Sequence, residues 1–502
     1  MRYLVVMEVS QKQRYIFRTN RLAEQIGASI LIRELTEKLP RCFSSQEEFV
    51  FAGGGKSVYE FSSEADAKLF VKNVSIATLR DYPGVELFMA IQDYNEKTES
   101  VIEAINQLYG KLEEKKSSRE LSFRFYGSGM EELCSSTQLP AAGLDRRSMD
   151  LASDSNDIEV YASIECLTKL DAYRKQKESF RELLPGPGYR FAHKFSELGG
   201  TSGEKDYIAV VVLDGNKMGK KIEKFRDDFK KQHGEVNEVF NLEYKKRLRL
   251  LSEEIDRNFQ ESVKAMISYL SSNLDEIKKK VISVEETQIG NEIVLPIRPL
   301  ILAGDDICFV TDVRIGIALT ERLLTEIEKP DRKVQGLPLH ACAGIAMVKT
   351  SYPFYRAHEL AESLCSNAKG VLPADDSSDA SVLDFHLVQG EIEGSIKEIR
   401  REKYNHGKLT SKPFYLRDNG KNNCLSWFKN RLSQYASGIF YGKKVGKSTI
   451  KEYRDALSEG EGAAKKYLIY KKLENILGNG YENGICKDFD VIEMIDICKW
   501  MG

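Results

Sequence analysis

No stretch of this chain approaches the ~18 uncharged apolar residues that a membrane-spanning helix needs. The opening segment MRYLVVMEVSQKQRYIF has only a short apolar run, broken by Glu8, and lacks the pattern of a secretory leader. The expectation is a soluble, intracellular (cytoplasmic) protein with no membrane contact. Nine cysteines, at positions 42, 134, 166, 308, 342, 365, 424, 486 and 498, form no C-x-x-C pair, so neither zinc nor a redox dithiol is indicated and they read as reduced structural thiols. Six histidines are dispersed and none is followed by Asp, which leaves a His-Asp metal phosphohydrolase or a Ser-His hydrolase without support. Charge bias is missing too. With 74 Lys+Arg against 76 Asp+Glu, no global field draws the chain to nucleic acid, and any basic patch must be local.

What is there is length and a repeated order of elements. At 502 residues one hydrophobic core does not suffice, and about three domains are expected. The apolar run Tyr3 to Val9 reads as a strand, and Leu22, Ile26, Ile30 and Leu31 recur at helical spacing up to Pro40. Phe49 to Phe51 and Ser57 to Phe61 flank the triple glycine Gly53, Gly54 and Gly55, the composition of a tight hairpin. A helix near Glu64 to Arg80 and a strand at Glu86 to Ile91 complete β-α-β-β-α-β, the ferredoxin-like split unit.

The order returns at Ile208 to Leu213, followed by Asp214-Gly215-Asn216-Lys217-Met218-Gly219 opening a helix and a long charged helical stretch to about Lys280. Leu300 to Leu302 and Ile307 to Val310 then flank the turn Ala303-Gly304-Asp305-Asp306, and helix Val313 to Ile327, strand His340 to Val348 and helix Phe354 to Ala368 follow. The fold class expected is α+β, two tandem ferredoxin-like palm domains with an inserted linker module and a C-terminal helical domain. The expected boundaries are 1–115, 116–204, 205–378 and 379–502. From Gly394 onward the tail carries 21 Lys+Arg against 13 Asp+Glu. Superimposing the two copies sets Glu8 against Asp214 and Ala52 to Gly55 against Ala303 to Asp306, so one copy keeps acids where the other has glycines.

Those acids point to phosphoryl chemistry. Nucleotidyl transfer needs the charge developing on phosphate and on both in-line oxygens to be stabilised, which two divalent ions ~3.5–4 Å apart can do. In this topology the end of the first strand and the hairpin of the next two share one sheet edge, so Asp214, Asp305 and Asp306 can converge around Mg²⁺ or Mn²⁺. A plain hairpin turn is the alternative for AGDD taken alone. Gly304 lets the backbone pass close to a ligand. Gly215 and Asn216 begin the helix whose free N–H groups can receive a triphosphate. Lys369, closing the last helix, can reach a phosphate, although a lysine there is explained equally well by the helix macrodipole. Gly53, Gly54 and Gly55 form either a backbone nest for phosphate or a hairpin with no ligand.

The ordered pieces QRYIF, GASILI and AGGGKSVYEF, then VVLDGNKMGKK, LILAGDDICFVTD, HACAGIAMVK and AESLCSNAKG, resemble the large polymerase-like subunit of type III CRISPR effector complexes, over roughly residues 1–110 and 205–385. The resemblance implies that the second palm binds ATP with Mg²⁺ and makes cyclic oligoadenylate, with metal roles for Asp214, Asp305 and Asp306. It further implies that Ser29 and the Gly53–Gly55 loop line a second nucleotide position. The family's turn begins with Gly where this chain has Ala303, its N-terminal HD nuclease domain has no counterpart here, and of its inter-palm cysteines only Cys134 is recognisable. The chain is thus similar to a stand-alone relative. The leading expectation is a synthase of cyclic or short linear oligonucleotides from ATP or another NTP. The alternative is a catalytically silent nucleotide sensor or scaffold that contacts RNA or CRISPR-type protein partners.

Overall fold

The computed structural model describes residues 1–53, 55–118, 129–148, 157–176, 179–199, 206–281, 288–289, 292–373, 379–390, 395–405, 408–418, 420 and 423–501; Gly54 lies outside them. The first palm runs β1 (Arg2–Ser10), α1 (Lys12–Phe17), α2 (Leu22–Arg33), β2 (Phe49–Gly53), β3 (Lys56–Phe61), α3 (Glu64–Asp81), β4 (Glu86–Tyr94) and α4 (Val101–Ser117). Its antiparallel sheet has the order β2-β3-β1-β4, that of a ferredoxin-like unit.

A module follows with hairpin β5 (Gly143–Ser148) and β6 (Asp157–Ala162), helix α5 (Ile164–Lys175), β7 (Tyr189–Phe191) and the short α6 (Ser196–Gly199). Helix α5 packs so closely on α2 that a Cβ at Gly27 would fall on the carbonyl oxygen of Lys169.

The second palm comprises β8 (Tyr207–Gly215), α7 (Met218–His233), the 35-residue α8 (Glu238–Ser272), α9 (Leu274–Lys280), β9 (Gln288–Ile289), β10 (Glu292–Leu295), β11 (Ile297–Ala303), β12 (Asp306–Asp312), α10 (Val313–Ile327), the hairpin β13 (Lys333–Val334) and β14 (Leu337–Pro338), β15 (Ala341–Lys349), α11 (Phe354–Lys369) and β16 (Val382–Leu387). Its sheet order is β11-β12-β8-β15-β16, extended at β16 by β17 (Phe414–Tyr415). The first four strands repeat the order of the first palm. From α12 (Ile396–Glu402) onward the chain is mainly helical. The architecture is therefore α+β, with tandem palms, an inserted module and a helical C-terminal domain. No helix among the described residues is long and apolar enough to cross a membrane.

Strand β8 is apolar from Ile208 to Leu213, as befits a strand covered on both faces. Ala209, Val211 and Leu213 join a core with α8 and α10, whereas Ile208, Val210 and Val212 join another with α11 and with α1 and α2 of the first palm. Strand periodicity puts Asp214 on the second of these faces. That face is the one on which helices α1 and α2 of the first palm pack.

Both palms carry a β-bulge three residues before the hairpin, at Val50 between Phe49 and Phe51 and at Leu300 between Pro299 and Ile301. The pairs closing the turns are Gly53 with Lys56 and Ala303 with Asp306. Across β1 and β8 the matching pairs are Glu8 with Lys56 and Asp214 with Asp306. Asp306 thus corresponds to Lys56 and not to Gly55, and the superposition made from sequence is one residue out of step along the hairpin. A run of glycines offers no alternating side chains by which to set the register.

Candidate nucleotide site at the palm interface

Asp214 and Asp306 are paired residues on neighbouring antiparallel strands, which places their side chains together on one face at the strand ends. Asp305 occupies the turn, with Gly215 donating its N–H to the Asp305 carbonyl at 3.3 Å. A Cβ at Gly215 would lie 2.8 Å from that of Asp305, so this glycine is required for the turn to close over β8. Gly304 has φ +64 and open space around its α-carbon; its conformation, not crowding, asks for glycine. The Gly304 N–H donates to Asp256 Oδ1 of α8 at 3.3 Å.

Two lysines from different parts of the chain reach the carboxylates. Lys369 Nζ, from the last residue of α11, lies 2.6 Å from Asp214 Oδ2. Lys12 Nζ, from the first palm, lies 3.2 Å from Asp306 Oδ2, beside Gly55 of the opposing hairpin. Burial by itself would lower the Lys369 ammonium, but the hydrogen bond and charge of Asp214 outweigh it and hold it above its ordinary value. Asp305 is pushed up to about 6, first by burial and then by the negative charge of Asp214 and, less, of Asp306. Glu362 on α11 is pushed up to about 7 by burial and by Asp306 and Glu359.

The other residues singled out from sequence have more varied surroundings. The buried Asn216 side chain donates to Asp379 Oδ1 at 3.1 Å and to the Ala380 carbonyl at 2.9 Å, while its N–H donates to the His340 carbonyl. Ser29 is buried, and its hydroxyl donates to the Leu300 carbonyl at 2.5 Å. That is the carbonyl of the bulged residue in β11, the kind of group a bulge frees from the ladder. In the first palm the equivalent Val50 carbonyl accepts from Arg249 Nε at 3.0 Å. Gly53 and Gly55 form the opposing turn, with Gly55 at φ +78. A cavity of about 280 Å³ opens beside α7, against Lys221, Lys224, Phe225, Arg247 and Gln335, and contains none of the three acids.

Sequence reasoning missed Lys12, Asp256 and Glu362. None has a local motif. Lys12 follows the first strand in a charged segment, Asp256 is one of many acids on a long helix, and Glu362 sits within an amphipathic one.

The donor set suits a hard cation, since Asp214, Asp305 and Asp306 offer only oxygen, and burial, followed by the charge of Asp214 and Asp306, already raises Asp305 above its ordinary value. The two ammonium groups stand where positive charge is needed. Among the described residues no group of three carboxylate, imidazole or thiol side chains is disposed to hold an ion, so an ion would enter as Lys12 and Lys369 give way.

The raised Asp305 titration has a thermodynamic consequence. Between the ordinary carboxylate pKa and about 6 the folded protein holds a proton that the unfolded chain has lost, so this group's effect on stability becomes unfavourable as pH rises through that window. Asp305→Asn is therefore expected to raise stability relative to wild type at pH 8, by on the order of 2 kcal/mol, and to do little at pH 4. Denaturant titrations at the two pH values check this, and a gain that is largest at pH 4 refutes it.

No protein-family model matches this chain, and no curated protein matches it. Solved structures do. The Csm1–Csm4 cassette in complex with cA3 is similar at 13% identity and TM-score 0.54, over 99% of this chain and 70% of that one. The same cassette in complex with pppApA gives 12% and 0.52, over 98% and 69%. Csm1 in T. onnurineus gives 13% and 0.50, over 100% and 68%. At these identities the likeness establishes the fold.

Proposed function

We propose that this chain is a palm-type nucleotidyl transferase that condenses ATP or another nucleoside triphosphate into cyclic or short linear oligonucleotides, in a type III CRISPR-like antiviral system. The observation that carries the reading is the pairing of Asp214 with Asp306 at the strand ends, with Asp305 in the adjoining turn and Lys12 of the first palm on Asp306. Support comes also from fold neighbours crystallised with pppApA, cA3, cA4 and AMPPNP. Those neighbours include a Csm1–Csm4 complex, and a comparable effector protein is the partner we propose here.

Divalent magnesium or manganese, held by Asp214, Asp305 and Asp306, would supply charge neutralisation at the reacting phosphate and lower the pKa of the attacking ribose hydroxyl. The chain's own part is positioning. The hairpin and β8 fix the carboxylates on a buried scaffold, so little reorganisation is needed as charge develops. Lys369 and Lys12 are placed to transfer from carboxylate to triphosphate oxygens once cations neutralise the acids, Lys369 from α11 and Lys12 from the opposing palm. Gly55 of the first palm's turn lies beside Lys12.

The test is incubation of the full chain with each NTP and Mg²⁺ or Mn²⁺, alone and with candidate activating RNAs, followed by assay for pyrophosphate and for new nucleotide masses. Wild-type protein that binds nucleotide yet yields neither sinks the enzyme reading. A sensor or scaffold is the second reading. It is favoured by one observation, that lysines already neutralise Asp214 and Asp306.

Lys369→Ala separates these roles for the lysine. A phosphate ligand lost from a binding site costs about tenfold in affinity for a non-hydrolysable ATP analogue. If Lys369 merely neutralises Asp214, calorimetry will instead find unchanged nucleotide affinity and tighter Mn²⁺ binding.

A further inference from the structure

The long helix α8 touches both palms with one face. Asn241, Lys245, Arg249, Ser252 and Asp256 are spaced by four, four, three and four residues, the spacing of a single stripe. Asn241 accepts from the Val101 N–H at 2.8 Å and donates to the Glu96 and Glu99 carbonyls. Lys245 pairs with Glu60 at 2.5 Å, Arg249 donates to the Val50 carbonyl, and the Ser252 hydroxyl donates to the Ala52 carbonyl. Each of these partners belongs to the first palm. The next residue in the stripe, Asp256, accepts instead from Gly304 in the turn of the second palm, and its other oxygen accepts from Gln260 at 2.8 Å. One turn of helix, about 6 Å of rise, therefore separates the grip on one hairpin from the grip on the other.

We infer that Asp256 is a positioning residue: by holding the Gly304 N–H it sets where Asp305 lies relative to Asp214, and through α8 it ties that placement to the opposing hairpin of the first palm. The inference rests on the catalytic reading proposed above. Asp256 is partly buried, which raises its carboxyl above the ordinary value, and a partly desolvated carboxylate makes a strong acceptor for a backbone N–H. Gly304 has φ +64, and an unheld glycine in a turn is the most easily displaced part of the hairpin. Displacement matters because a shift of about 1 Å in a reacting constellation costs on the order of a hundredfold in rate.

The full chain is compared as wild type, Asp256→Ala, Asp256→Asn and Ser252→Ala by two readouts. The first is hydrogen exchange at Gly304, resolved by NMR or by overlapping peptides across residues 300–307, which does not depend on catalysis. Exchange should accelerate in Asp256→Ala and stay near wild type in Asp256→Asn, whose amide oxygen still accepts. The second is turnover, which should fall on the order of a hundredfold in Asp256→Ala with KM within about twofold, and be largely retained in Asp256→Asn. Unchanged exchange in Asp256→Ala overturns the inference, and so does an Asp256→Asn variant as inactive as Asp256→Ala, because the charge would then act directly. Should Asp256→Ala not fold, Asp256→Asn and Ser252→Ala decide. Retained protection and turnover in Asp256→Asn, with slower turnover in Ser252→Ala, support the tie, whereas loss in Asp256→Asn refutes it. A wild-type protein with no product but with exchange that responds to Asp256→Ala would defeat the catalytic reading and leave the structural tie intact.

Discussion

Asp305→Ala/Asp306→Ala is expected to give a folded protein whose pyrophosphate release falls by at least about a thousandfold, with no oligonucleotide product detectable by mass. The size follows from what the two carboxylates do in the proposed reaction. They hold the positive charge that stabilises the transition state, and removal of even one preorganised electrostatic group commonly costs a hundredfold or more. Folding is not expected to suffer, because Asp305 is already pushed up to about 6 by burial and by its acidic neighbours, and relief of that repulsion is favourable. Melting curves no lower than wild type, alongside abolished turnover, are the expected pair of results. Turnover within a few-fold of wild type would remove these acids from the chemistry altogether.

The first palm shows what a carboxylate at this position becomes without a partner acid. Glu8 occupies the place of Asp214, but its paired residue is Lys56, and its carboxylate is bound by Lys116 of α4 at 3.1 Å and Lys56 at 3.6 Å. Both cations come from the same palm and the acid is largely buried, so the charge is settled internally. In the second palm the neutralising lysines come from the end of a helix and from the other palm, and Asp214 stays about half exposed. A ligand can displace that arrangement far more cheaply than the first. The duplicated fold thus has one lobe with a closed ion pair and one with carboxylates open to exchange.

Much of this is legible in the sequence. Strand and helix order, the duplication and the place of AGDD in a hairpin follow from periodicity and turn composition, because β8 and β15 carry long apolar runs, β12 carries the shorter Ile307 to Val310, and α10 is strongly amphipathic. The register of the first hairpin was not legible. Three glycines carry no side-chain alternation, and the bulge at Val50 is invisible in a sequence that reads smoothly as FVFAG. Ser29 stands out in the resemblance as a residue near nucleotide, yet its hydroxyl meets the bulge carbonyl of Leu300, a partner 271 positions away that no local pattern announces. Lys12 and Asp256 escaped for the same reason. Their importance lies in which distant backbone or carboxylate they meet, and spacing along one element holds no record of that.

The largest effect on stability is expected from a residue with no chemistry at all. Gly344 sits mid-strand in β15, paired with Val212 on one side and Asp384 on the other. A Cβ there would fall on the carbonyl oxygen of Ala361 and the amide nitrogen of Cys365, with the Leu364 side chain 2.9 Å away. These are mostly backbone atoms of α11, and backbone cannot rotate aside as a side chain can. The helix must therefore lift off the sheet, which opens a core that includes Val212, Cys342, Ala361 and Leu364. Gly344→Ala should cost about 3 kcal/mol or more, at the upper end of what one added methyl does in a packed interior. Because α11 ends in Lys369, 2.6 Å from Asp214, the same lift withdraws the lysine from the carboxylates. Nucleotide affinity should fall even where the variant is still folded, and restoring space opposite does not help, since Ala361 is already the smallest residue with a side chain. Denaturant unfolding followed by intrinsic fluorescence, with analogue binding measured below the transition, tests both consequences. A Gly344→Ala protein as stable as wild type would mean that α11 does not approach β15 as closely as these contacts require.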